Sequence, residues 1–140
     1  MSSATLQNLI YALIQVTHNF GAVLVIGTAV YSLWLLRPEL LPQRQAALIQ
    51  MLAWSLQIVG GAAFGATSYY FYGHFPDIHG IAIDALIVKV ACALTGGLLA
   101  LFYYLRGPLG WLKHARAVWV ASLLLGCTAL SAAAFLRWFS

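Results

Sequence analysis

The sequence has little charge. Only 7% of its 140 residues are Asp, Glu, Lys or Arg, against about 25% in a soluble domain. Three are acidic: Glu39, Asp77 and Asp84. No two of them stand at a spacing suited to paired acid–base catalysis, which disfavours a hydrolase or a classical transporter substrate site. There is no phosphate-binding glycine loop, no GxSxG elbow and no HExxH zinc motif. Two cysteines, Cys92 and Cys127, both fall inside apolar runs. They read as small packing residues, and neither a CxxC pair nor a Cys/His zinc spacing is present. The first eight residues contain no basic side chain, and the apolar run that follows is too long for a signal-peptide core, so it reads as a membrane helix.

Hydrophobic residues make up 63% of the chain. A soluble domain of this size could not hide so much apolar surface, and the chain falls in the membrane class. Four apolar segments, about residues 9–36, 46–72, 81–105 and 117–137, are each long enough to cross a hydrocarbon core of ~30 Å. They predict one all-α domain, an integral membrane antiparallel four-helix bundle. Arg37-Pro38 ends the first segment, because the residue before proline avoids helical geometry. Gly73 to Gly80 forms a turn-rich loop, and Arg106-Gly-Pro-Leu-Gly110 breaks the third segment. Trp111 to Arg116 reads as a short amphipathic piece at the interface.

The net charge of +4 points to topology rather than to nucleic acid. Arg37 and Arg44 fall in the first loop, and Arg106, Lys113 and Arg116 in the third. The second loop has no Lys or Arg. The excess of basic residues on the cytoplasmic side then places both termini and the second loop outside, on the periplasmic face of a bacterial inner membrane. Trp34, Tyr103, Tyr104 and Trp119 fall at the inner interface, and Tyr69 to Tyr72 with Trp138 at the outer one, as aromatic belts do. Gly61 and Gly65 form a GxxxG pair that reads as packing within the bundle, with dimerisation as the alternative.

Ionisable groups inside lipid carry the functional signal. His18 stands in the first helix between Thr17 and Asn19, and Lys89 in the third within a run of aliphatic residues. Counted from Leu9 and Ile81, they lie roughly 13 Å and 12 Å deep at 1.5 Å per residue. Two helices therefore bring a His and a Lys to one level. His18 is a candidate ligand for heme iron or another metal, or a proton carrier. Lys89 is a candidate partner for an anionic group such as a propionate. A structural role, with His18 hydrogen-bonded to a neighbour and Lys89 snorkelling, is the competing account. In the second loop His74, Asp77 and His79 form another candidate set, for copper or zinc.

The stretch LIQVTHNFGAVLVIGTAVYSLWLLRP resembles the opening of the transmembrane domain of copper-resistance D (CopD-like) proteins, which begin with a helix-1 His followed by small residues. The stretch YGHFPDIHGIAIDALIVKVACALTGGLLALFYYLR is similar to the same domain, where an L-x-x-K core follows the second loop. A more distant resemblance is to the HemJ-type protoporphyrinogen oxidases, which bind heme b. The resemblance covers about residues 9 to 106 and implies His18 and Lys89 as the functional pair.

Three functions are expected from these readings. The first is a redox or metal-linked membrane module with heme b at the His18/Lys89 site. The second is a non-catalytic accessory subunit of a larger membrane complex. The third is copper transport, with the second loop receiving the ion. The expected partners are the lipid bilayer and a homo-oligomer or larger membrane complex, without nucleic acid.

Overall fold

A computed structural model describes residues 2–35, 40–106 and 114–140. The chain forms four helices: α1 (Ser3–Trp34), α2 (Leu40–Tyr72), α3 (Ile81–Arg106) and α4 (Ala115–Phe139). Each is long and apolar enough to cross a membrane. A helix satisfies its own backbone hydrogen bonds, the condition that lipid imposes on any spanning segment.

Three helices begin earlier than hydropathy predicts, α4 by only two residues, and α3 begins at Ile81 as expected. The Ser2 side chain caps α1 by accepting from the Thr5 backbone N–H at 3.2 Å, so this helix starts well before Leu9. In α2 the start is Leu40 rather than Ala46, with Pro42 in the first turn, where its missing N–H has no intrahelical partner to lose. Arg44 and Gln45 are therefore helical, and so is Arg116 at the start of α4. The expected break at Arg37-Pro38, the turn Gly107 to Gly110 and the piece Trp111 to Lys113 lie outside the described residues. The loop between α2 and α3 matches expectation. Gly73 (φ 76°) and Gly80 (φ 50°) both adopt the left-handed conformation that side chains disfavour. The Gly73 N–H closes α2 by donating to the Tyr69 carbonyl at 2.9 Å.

The helices form a ring. Both α1 and α3 pack on α2 and α4, which leaves α1 and α3 facing each other across a diagonal. Neighbours run antiparallel. At one end Gln7 donates to the Tyr72 hydroxyl at 2.6 Å, tying the start of α1 to the end of α2. At the opposite end the Tyr103 hydroxyl (3.2 Å) and Trp119 Nε1 (2.8 Å) both donate to Gln43 Oε1. That junction joins the end of α3 to the starts of α2 and α4.

The interior is made mostly of small residues, and the large aliphatic side chains point outward. One buried cluster holds Ala46, Ala47, Tyr103, Val118 and Trp119, and a second holds Val25, Ala53, Trp54 and Ala93. Leu13, Phe20, Val23, Ile87, Leu98 and Leu124 are exposed on the outer surface. Lipid is as apolar as leucine, so nothing drives large side chains inward. Close backbone approach decides the packing instead.

Glycines make that approach possible, though not the pair expected. Nothing lies within 4 Å of a Cβ built on Gly61, and one on Gly65 meets only the Phe75 ring. The GxxxG pair thus faces away from the bundle interior. Packing falls to Gly21 against α2, Gly60 against His18, Gly96 beneath the Trp54 indole, and Gly126 against Val25 and Ile26. The aromatic reading also needs correction at two positions. Trp34, Tyr69, Tyr70, Tyr72 and Trp138 are exposed, but Tyr103 and Trp119 are buried edge to face at 5.6 Å. Their polar atoms are drawn inward by Gln43, where each finds the acceptor that an interior ring needs.

Gly96→Ala should therefore destabilise the bundle by about 1–3 kcal/mol, the usual cost of overpacking. A Cβ there runs into the rigid Trp54 indole, whereas one on Gly97 is in ordinary contact at 3.6 Å. Unfolding in mild detergent should separate the two: Gly96→Ala weakened, Gly97→Ala close to the parent.

Candidate functional site

His18 belongs to the inward stripe of α1. The buried residues of that helix are His18, Gly21, Val25, Thr28, Ala29 and Ser32, the three-and-four spacing of one helical face. Its neighbours Thr17 and Asn19 are exposed. Thr17 turns its hydroxyl back to the Leu13 carbonyl at 2.9 Å, and Asn19 accepts from Gln15 at 2.7 Å. Of three consecutive polar residues, only the histidine enters the bundle.

Three groups from α2 fix it. A Cβ on Gly60 would lie 2.7 Å from His18 Nδ1, so only glycine lets this backbone rest against the imidazole. Phe64 meets the ring edge to face at 5.8 Å. Gln57 donates to the His18 carbonyl at 2.6 Å, which anchors the backbone beneath the ring. The imidazole is left with little freedom, and Nε2 is aimed across the bundle.

Lys89 meets it there. Its Nζ lies 3.1 Å from His18 Nε2. The contact spans the α1–α3 diagonal, where the two helices scarcely touch otherwise. The expected common level is thus realised, although α1 starts about 9 Å further out than Leu9 at 1.5 Å per residue. With the ammonium as donor, Nε2 accepts and the ring proton sits on Nδ1. Nδ1 is buried and has no hydrogen-bond partner among the described residues. Lys89 is half-buried. A lone cation at mid-membrane would cost at least ~2.5 kcal/mol on insertion scales, so a neutral imidazole at hydrogen-bond distance is a stabilising neighbour.

The second-loop candidates behave differently. His79 and Asp77 approach to 3.2 Å with both side chains about four-fifths exposed (79% and 82%). His74 turns away, with Nδ1 on the Phe75 carbonyl at 2.9 Å. Among the described residues, no three His, Cys, Asp or Glu side chains converge as a metal site. His74, Asp77 and His79 therefore stand as a pair and a single residue.

Two interior residues escape a reading based on charge. Gln43 and Gln50, with Gln57, stand seven residues apart along α2, a spacing that keeps all three on one face. Gln43 and Gln50 are buried and Gln57 is half-buried. The seven-residue spacing was the available signal. Comparison with known protein families, with curated proteins and with solved structures finds no match for this chain.

The diagonal contact should be measurable as a coupling. A double-mutant cycle of His18→Phe and Lys89→Met, read by reversible unfolding in detergent or bicelles, should give an interaction energy of about 0.6 kcal/mol, the average for interhelical hydrogen bonds in membranes, and no more than about 1.7 kcal/mol. Additive losses would mean that the two side chains do not stabilise each other.

Proposed function

We propose that this chain is a redox-linked, multi-pass module of a bacterial inner membrane, with His18 and Lys89 as its cofactor site and heme b as the group it takes. In this reading residues 73–80 face the periplasm, because the basic residues outside the core crowd the opposite end. The observation that carries the proposal is the 3.1 Å approach of Lys89 Nζ to His18 Nε2 across the diagonal of the bundle.

The donor set suits a heme held by one imidazole. Gly60, Phe64 and Gln57 hold the ring and its backbone, leaving Nε2 as the nitrogen directed away from α2. Such fixing of orientation is what a neighbouring shell does for a ligating histidine. The partnerless Nδ1 carries the proton when Nε2 offers its lone pair. For a heme to take Nε2, Lys89 would have to turn aside on its flexible four-carbon stem, and its ammonium would then be placed to pair with a propionate. Heme b would supply one-electron transfer there. The chain's own contribution is to orient the imidazole, to neutralise an anionic substituent and to exclude bulk water.

A second reading, a non-catalytic subunit of a larger complex, has one observation in its favour. Gln15, Thr17 and Asn19 put polar groups on or near the outer face of α1 at the same depth as His18, and Gly61 leaves an open small-residue patch on α2. Polar and small residues facing outward suit another helix better than lipid tails.

Protein purified in mild detergent from heme-replete cells should show a Soret band and dithionite-sensitive visible bands at near-stoichiometric heme. His18→Ala should lose them, and Lys89→Met should lower heme occupancy severalfold while keeping the spectral type. A colourless preparation that co-purifies with other membrane chains would displace this reading in favour of the subunit.

A further inference from the structure

The two apolar clusters of the bundle are separated by a layer of polar atoms. On α1, Val25 belongs to one cluster and Leu33 packs on the other, with Thr28 and Ser32 between them. On α2, Gln50 stands between Ala47 and Ala53; on α4, Ser122 stands between Trp119 and Leu125. At this level α3 contributes Gly96, whose missing side chain leaves room for the Trp54 indole and its Nε1. Each helix thus interrupts its apolar sequence between the two clusters, over a span of about 10 Å along the bundle at 1.5 Å per residue.

These groups are deeply enclosed and lack partners. Gln50 is 0% exposed, Trp54 1%, Ser122 1% and Ser32 5%. Among the described residues, Ser32 Oγ, Ser122 Oγ, Trp54 Nε1 and both amide atoms of Gln50 have no hydrogen-bond partner. Together they offer donors and acceptors from three helices. Buried polar groups of this kind are normally satisfied by ordered water, which needs two to four polar partners in a space large enough to hold it.

We propose that this layer is a hydrated chamber that binds internal water, and that water in it carries protons to and from the His18–Lys89 pair. The polar positions mark a route. From the His18 level, α2 presents Gln57, then Trp54, then Gln50, then Gln43 towards the end formed by the starts of α2 and α4. Successive steps are roughly 5–11 Å along the helix axis at 1.5 Å per residue, gaps that one to a few waters bridge. No bond is broken except O–H and N–H in relay: a proton enters at one end of a water file and another leaves it at the imidazole, so charge and atoms balance. The chamber stands on its own as a water site. Its proton-delivering role rests on the proposed redox function.

Water-edited solid-state NMR of the full chain in lipid bilayers tests both parts without heme. Magnetisation from water should reach the Trp54 indole N–H and the Gln50 side-chain amide about as fast as it reaches the exposed loop 73–80. It should reach them several times faster than the backbone of Val25 and Ala93. Gln50→Leu, and separately Ser122→Ala, should slow the transfer severalfold at Trp54 and at the His18 ring. Slow transfer at Trp54 in the parent protein would overturn the chamber. Transfer to His18 that stays fast in both variants would overturn the route. The heme spectrum of the same variants reads the redox proposal separately: a colourless parent with a hydrated Trp54 would defeat that proposal and leave the water site standing.

Discussion

Everything in this bundle follows from having an apolar exterior. A chain with so few charges, and with leucine, valine and phenylalanine on its outer surface, can place polar atoms favourably only between its helices or at its ends. Burial then loses its usual meaning. In a soluble domain the interior collects large hydrophobic side chains because water expels them. Lipid does not expel them, so the interior is chosen by fit and by the needs of polar groups. Alanine and glycine bring the backbones together, and glutamine, serine, histidine and two tryptophans occupy the space so defined. The Gln43 junction shows the principle at its most economical, with one amide oxygen accepting from two aromatic donors on two other helices.

The His18–Lys89 contact depends on that arrangement at every point. His18 reaches the interior because it falls on the inward stripe of α1. It keeps one orientation because Gly60 has no side chain, and it meets Lys89 because the ring of helices sets α1 and α3 opposite each other. A diagonal contact differs in kind from one between neighbours. Adjacent helices are held by long seams of packed backbone, whereas the diagonal relies on a few long side chains. Buried polar groups left without partners cost about 1–3 kcal/mol each. Ser32, Gln50, Trp54 and Ser122 therefore form an energetically conspicuous feature of an otherwise well-packed bundle.

Hydropathy alone made the number of helices, their order and the second loop legible, because crossing a membrane demands long apolar runs and a turn needs glycine. Helix starts were less legible. Ser2 and Pro42 begin helices in segments too polar for a hydropathy window to include, and their effect is local capping rather than apolarity. The level shared by His18 and Lys89 could be counted along the helices, but not which face each residue occupies. Nothing in that count decides that His18 turns inward while its neighbours Thr17 and Asn19 are exposed. Tyr103 and Trp119 resembled interface aromatics, and only the position of Gln43 on a third helix decides that they turn inward. Gln50 carries no charge, and its seven-residue spacing from Gln43 and Gln57 is the one sequence signal of a role that only its enclosure makes plain.

One consequence follows from the unequal lengths of the helices. From the level of His18, α1 extends about 22 Å and α2 about 18 Å toward the Gln7–Tyr72 end, while α3 reaches about 12 Å at the same rise per residue. The first hairpin therefore stands taller than α3 on that side, and the molecule has a wedge-shaped profile. A bilayer matches such a wedge by thickening along one flank or by letting the whole bundle tilt, at a modest cost for each ångström of mismatch. Membrane thickness then becomes a mechanical variable for this protein. A change of a few ångströms in the surrounding lipid would bear unequally on α1 and α3, the two helices joined across the diagonal by His18 and Lys89.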